Sequence, residues 1–502
     1  MPDKHEHTTT PHGHNQTPHG HNQTPHGIAP HAAIAWTDRL WLAAMCLSNG
    51  IPVAVAMLLT VMFKRFGAGN TATLTHLAGA LVPWMMRPLC NMLMRRMGWR
   101  KETWLVATEM AMLATIASMA ALVGTDYWRP CTTLLLIVMS TCGMIHCVVT
   151  ESLYKEVTAN RYPVPLRPMF MAYHAAALLI GLGLTAMVAG NIEVLTRNIY
   201  RAWRIAFRLT AMLYAVLTAY NMWKAWSRRH ATDGTDDIYN VASWREMAGA
   251  MRLFFGNHSP SIGATFLLLF PLPMGLVTGL SPLFLVDSIH RGGLGLSPQE
   301  YGLAGGTVSI IGTAVGCLAY TRLHKHIHFD RLVVPVSLAT VLTPLSLLIM
   351  SSLEAPSLYA INMCMLTGHA AFGMALAVYV NFLAFYSCGR YKHTFFSTGI
   401  AIASLSTAIA YYIAGPLQRS LGYHDYFVAA TCSCCVAVAA AVLLKMKCFG
   451  NSITNKHTTH PTNMGHTTGH TAIRHDADSG THQPYGATDD NTTDKYKNKQ
   501  KK

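Results

Sequence analysis

The stretch Thr141–Glu151, TCGMIHCVVTE, places three chemically capable side chains at the close of a long apolar segment: His146, Cys147 and Glu151. Ionisable groups at membrane depth are costly and usually functional. Cys147 and Glu151 are four residues apart and share a helix face. With a thiol in the first position, Glu151 is the group that titrates readily and could hold a coupling proton. His146 lies about 140° from Glu151 around a helix, so the two do not stack. His369, in AINMCMLTGHAAFGM, follows His146 by 223 residues and could face it from a symmetry-related helix. For each histidine an interhelical hydrogen bond is the plainer role. Glu109 is a lone acid in the third apolar segment and a lesser candidate. Arg87 sits between Pro83 and Pro88 near a membrane boundary, where snorkelling is expected. His174, Tyr379 and Asn381 are polar groups within apolar segments that could line a pathway or bond a neighbouring helix.

Backbone chemistry points to a central site as well. Asn49-Gly50-Ile51-Pro52 is expected to interrupt the first apolar segment, and Pro271–Gly275 to interrupt its counterpart in the second half. A proline frees a carbonyl that must be satisfied internally or by a lined cavity. Interrupted helices at matching positions of two halves are a pointer to a transport site.

The elements that must carry these groups are membrane helices. The chain has 502 residues, 51% of them hydrophobic and only 12% charged, about half the usual charged share. Apolar runs of about twenty residues recur, each long enough to span a bilayer. Twelve spans are expected, near 40–63, 71–94, 103–124, 130–153, 168–190, 204–223, 261–285, 301–320, 332–352, 357–386, 394–415 and 425–446. Recurrence at an offset near 223 residues divides them into an N-terminal six-helix bundle, 37–223, and a C-terminal one, 260–447. The stretch 224–259 is a cytoplasmic central loop carrying an amphipathic helix in SWREMAGAMRLFFG. That helix could lie on the inner membrane surface or pack on the bundle. Nineteen Lys and Arg residues fall in one set of loops and flanks against eight in the other, which places both termini in the cytoplasm.

The tails, 1–36 and 448–502, are polar, His-rich and expected to be disordered; residues 10–23 repeat TPHGHNQ. No signal peptide is expected. Imidazoles in the tails could bind Zn²⁺, Ni²⁺ or Cu²⁺, but no ligand set of fixed geometry is visible, so neither a metal site nor a cofactor is expected. The net charge of +15 sits between apolar runs and fits membrane orientation, not nucleic acid. The 12 cysteines lie mostly inside apolar segments and form no disulfide framework. Neither a nucleotide-binding Walker loop nor a nucleophile motif argues for ATP-driven transport or an enzyme.

Five stretches, in this order, resemble the major facilitator superfamily and, within it, its AmpG-like, muropeptide-importer branch. They are LSNGIPVAVAMLLTVMFKRFGAGN, LAGALVPWMMRPL, SPLFLVDSIHRGGLGLS, YVNFLAFYSCGRYKHTFFSTGIA and GPLQRSLGYHDYF. The resemblance implies a monomeric, all-α carrier of twelve helices in two pseudo-symmetric bundles. It implies alternating access around a cavity lined by helices 1, 4, 5, 7, 10 and 11, a small polar solute such as a cell-wall sugar or muropeptide, and proton symport in the inner membrane. Several positions charged in that branch are uncharged here: Asn49, Cys147, Phe170, Ala175, Pro271, Met274 and Thr278. The pathway candidates are therefore Asn49, Pro52, Arg87, His146, Glu151, His174, Pro271, Thr278, His369, Tyr379 and Asn381. The loss of charge leaves a second possibility, a carrier-shaped sensor or scaffold that no longer transports; the tails leave a third, a metal-related transporter.

Overall fold

In the computed structural model, residues 36–158, 167–228, 243–256 and 258–449 are described. The tails beyond them, and the loop between 228 and 243, lie outside the described residues, as do the expectations of disorder and metal binding placed on them. The described chain is helical throughout. In the first half run α1 (Trp36–Arg65), α2 (Asn70–Met85, continuing as Arg87–Met97), α3 (Lys101–Leu122), α4 (Trp128–Thr158), α5 (Pro168–Thr196) and α6 (Ile199–Ser227). A short helix, α7 (Trp244–Phe255), follows. In the second half run α8 (Ile262–Val286), α9 (Pro298–Leu323), α10 (Phe329–Ser351) and α11 (Leu358–Tyr386). A last helical stretch, Lys392–Leu444, is broken at Gly422, whose φ of 81° is left-handed, and so divides into α12 (392–421) and α13 (423–444).

Among the described residues, ten helices are long and apolar enough to cross a bilayer. The Gly422 break makes two crossings of the last one, and α2, interrupted at Met86, adds another. The twelve expected spans are all present.

One expectation is corrected. The first helix is not interrupted at Asn49–Pro52: α1 runs unbroken for 30 residues with Pro52 inside it. A proline removes the hydrogen bond to the carbonyl four residues before, here that of Ser48. The Tyr214 hydroxyl of α6 donates to that carbonyl at 3.1 Å, so the turn stays closed. Its counterpart stays helical too: Phe270, between His258–Leu269 and Pro271–Val286, has φ −64° and ψ −42°, and its N–H donates to the Phe266 carbonyl at 3.0 Å. There Pro271 frees the Leu267 carbonyl, and the Tyr379 hydroxyl of α11 donates to it at 3.2 Å. Each half thus answers its proline with a tyrosine from a neighbouring helix.

The halves meet along two seams, α2 on α12 and α5 on α9. Both depend on glycine. A Cβ on Gly415 of α12 would lie 2.6 Å from the Thr71 Cα of α2, and one on Gly306 of α9 would lie 2.6 Å from the Gly183 Cα of α5. Small residues let membrane helices approach backbone to backbone. At the second seam both helices widen into π turns, Leu179–Leu184 and Gly302–Val308. Gly312 and Gly316 of α9 seat that helix on the Leu366 and Ala370 carbonyls of α11.

The amphipathic helix packs on the bundle. Met247, Ala250 and Phe254 of α7 are buried, while Trp244, Ala248 and Phe255 are exposed. Met247 and Ala250 cluster with Met92 of α2 and Phe395 of α12, so α7 touches both halves. Phe254 sits edge-on to Tyr386, whose hydroxyl donates to the Phe254 carbonyl at 2.9 Å.

Candidate functional site

Two buried polar clusters occupy the first half, and a third joins the halves at one end. In the first cluster, α3 supplies Glu109, α4 His146, α6 Asn221 and α1 Ser48 and Asn49. His146 Nε2 lies 3.0 Å from Glu109 Oε1. Asn221 Nδ2 donates to the same oxygen at 2.7 Å and to Ser48 Oγ at 3.0 Å. His146 Nδ1 lies 3.4 Å from Asn49 Oδ1 and 3.3 Å from Thr150 Oγ1. Glu109, His146, Asn221 and Ser48 are all fully buried. Glu109 is therefore not a lone acid; it is the partner of His146. His369 is not that partner. Its Nδ1 sits 3.1 Å from the Met365 carbonyl of its own helix, and its Cβ packs at Gly312 of α9.

In the second cluster Arg87 of α2 donates to Glu151 Oε2 of α4 at 3.0 Å, and Cys147 Sγ approaches Glu151 Oε1 at 3.4 Å. Arg87 is 3% exposed. It does not snorkel; it is spent on a carboxylate inside the protein. Glu151 is accordingly not a solitary acid; its carboxylate is paired with Arg87.

The third cluster went unread in the sequence. We call the two ends of the bundle after the ends of α1. At the Arg65 end, Lys64 Nζ of the first half lies 2.6 Å from Asp287 Oδ2 of the second, with both side chains about 95% buried. The Tyr423 hydroxyl donates to Asp287 Oδ2 at 2.9 Å. Asn70 accepts from Lys64 at 2.7 Å and donates to Gln418 and Tyr423 at 2.8 and 2.9 Å. Five side chains from α1, α2, α12, α13 and the end of α8 thus form one latch across the halves. Asp287 is an acid ending one apolar run and Lys64 a base ending another, 223 residues apart; that offset relates equivalent positions of the two halves and does not by itself bring them into contact. At the Trp36 end the halves are joined by Asn91 of α2, donating to Ser397 of α12 at 2.7 Å, and by α7.

The remaining candidates are dispersed. His174 of α5 stacks on Phe170 with ring planes 6° apart and lies against Gly50 of α1. Its Nδ1 is buried without a hydrogen-bond partner among the described residues. Thr278 of α8 lies 3.5 Å from the Tyr411 hydroxyl of α12. Tyr379 serves the Leu267 and Gly399 carbonyls. Asn381 donates to the Tyr320 hydroxyl at 2.9 Å, beside His324 at the Trp36 end. Pro52 and Pro271 act through the carbonyls they free. No group of three or more His, Cys, Asp and Glu that could hold a metal occurs among the described residues.

No family model and no curated protein matches the sequence. Solved structures do match. A crystal structure of the nucleoside transporter NupG is 12% identical and superposes with a TM-score of 0.59, covering 82% of this chain and 99% of that one. A mutant of the same transporter gives 0.60 at 12% identity, covering 81% and 98%. The superposition takes in nearly the whole of that transporter. The fold of this chain is therefore the major facilitator fold: an all-α, multi-pass membrane architecture of two pseudo-symmetric six-helix bundles.

Proposed function

We propose that the chain is a secondary carrier that moves a small polar solute across a membrane by alternating access. The observation that carries this reading is the latch at the Arg65 end. Lys64 and Asp287 come from different halves and are buried on one another, within a fold whose solved examples include transporters. A charge pair that closes one end and separates when the halves rock is what a two-state carrier needs. The halves are 37–223 and 260–447, and the stretch 224–259 joins them. By resemblance to the AmpG-like branch the solute is a cell-wall sugar or muropeptide, carried across the inner membrane by a monomer with both termini in the cytoplasm. The likeness to a nucleoside transporter supports the broader class, a hydroxyl-rich solute.

Asn49, His174 and Thr278 are the pathway candidates, drawn from helices that face the partner half or the first cluster. Arg87–Glu151 is a structural pair beside that pathway.

Reconstituted protein tests this. Liposomes holding the full chain should accumulate a radiolabelled nucleoside, amino sugar or anhydro-muropeptide in a saturable manner, and Asp287→Lys should cut uptake at least about tenfold by placing two cations together. Absence of saturable uptake and of binding across all three solute classes would overturn the carrier reading and favour the scaffold.

A further inference from the structure

We infer that Glu109 and His146 together hold one exchangeable proton, and that this pair is where the carrier loads and unloads it. The inference rests on the carrier reading and goes beyond it by moving proton handling away from Glu151 to an α3–α4–α6 site.

The argument is one of proton counting. His146 Nε2 and Glu109 Oε1 are 3.0 Å apart. Two acceptors cannot face one another at that distance, so one hydrogen lies between them. Three arrangements put it there: an imidazolium beside a carboxylate, a carboxylic acid beside a neutral imidazole, and a neutral imidazole whose Nε2–H donates to a carboxylate. The first two leave the fully buried site with zero net charge and are its loaded forms; the third carries one negative charge and is the unloaded form. Losing the exchangeable proton leaves Nε2–H donating to a carboxylate, with one uncompensated negative charge in a fully buried site. Departure of the proton is thereby tied to admission of water.

The surroundings add no competing charge. Ser48 and Asn49 face the pair from α1, Thr150 from α4, and Tyr214 and Asn221 from α6; all are neutral at ordinary pH. Cys147, on the next helical position, is turned to Glu151. The charges of Arg87 and Glu151 are on each other.

A second observation marks the pair as more than a satisfied core contact. Glu109 Oε2 and Asn221 Oδ1 are buried and have no hydrogen-bond partner among the described residues. Both are acceptors, and an acceptor left open in a fully buried carboxyl group is a ready position for a proton. A histidine nitrogen in the set disfavours a hard alkali cation, which takes oxygen ligands.

Infrared difference spectroscopy on the full chain in lipid nanodiscs, titrated between about pH 4 and about pH 9, reads the event without solute or gradient. The expected result is a protonated-carboxyl band that Glu109→Gln abolishes and Glu151→Gln leaves intact. His146→Gln should displace its midpoint by at least about tenfold in proton concentration. Asn221→Leu, which keeps both partners, should also displace it. A full-strength band in Glu109→Gln, or neither a carboxyl nor an imidazole band that titrates in the wild-type protein, would overturn the inference. So would a Glu109 band that responds to sodium replacing potassium at fixed pH, since that marks a metal-cation site. These outcomes are independent of uptake, so this inference and the carrier reading can fail separately.

Discussion

Arg87 and Glu151 show why a buried charge is best judged with its partner. Each alone would be expensive in this environment; together, at 3.0 Å, they are a neutral unit. Arg87→Met should therefore destabilise the protein by about 3–5 kcal/mol, because it strands Glu151. The double variant Arg87→Met/Glu151→Gln should recover most of that loss. Thermal unfolding in detergent measures both, and equal losses for the single and the double would refute the pairing. The tyrosines that serve the proline turns make a second residue-scale case. Tyr214→Phe and Tyr379→Phe each remove a hydroxyl from a carbonyl that Pro52 or Pro271 has freed. Each should cost about 1–3 kcal/mol in the same assay. Neither the arginine's partner nor the tyrosines' duty could be read from the chain. Arg87 and Glu151 lie 64 positions apart, and Ser48 and Tyr214 lie 166 apart. Local pattern shows that a polar group sits in an apolar helix; it does not show which other helix turns toward it.

At the scale of elements, spans and offset were legible because lipid imposes them: an apolar run of fixed length must be a helix, and its interruption by charge must be a loop. The kink was only half legible. Both prolines are present, but α1 stays whole around Pro52 and α8 keeps helical backbone angles at Phe270 before Pro271, since a break depends on more than the residue that invites it. The amphipathic spacing of α7 was legible, and its docking on Met92 and Phe395 was not. Met247→Asp should release α7 from both halves, and faster amide exchange across residues 244–255 would record it. Unchanged exchange would mean that α7 is held by Phe254 alone. The α5–α9 seam makes the opposite demand. Gly306→Leu puts a branched side chain where a single Cβ already lies 2.6 Å from Gly183. It should hold the halves apart and abolish transport while leaving secondary structure unchanged by circular dichroism.

For the whole molecule, charge is unequally shared. Arg87, Glu109 and Glu151 lie buried in the first half. In the second half the described Asp, Glu, Lys and Arg residues of α8 to α13 stand at helix ends, as Asp287, Glu300, Arg322, Asp330 and Arg419 do. The half that carries the Glu109–His146 pair therefore has the electrostatic machinery, and its partner offers neutral hydroxyls and rings, such as Thr278, Tyr411 and Tyr423. Two bundles alike in outline have been given different work.

The two closures also differ in kind. On the carrier reading proposed above, Lys64 and Asp287 would be rehydrated before the halves part at the Arg65 end, whereas at the Trp36 end apolar side chains of α2, α7 and α12 and one neutral hydrogen bond, Asn91 to Ser397, would part. Dissolved ions stabilise separated charges and do little to help exposed oil. A mouth sealed by ions and another sealed by grease will answer differently to the bathing medium: concentrated electrolyte should ease the first and leave the second shut.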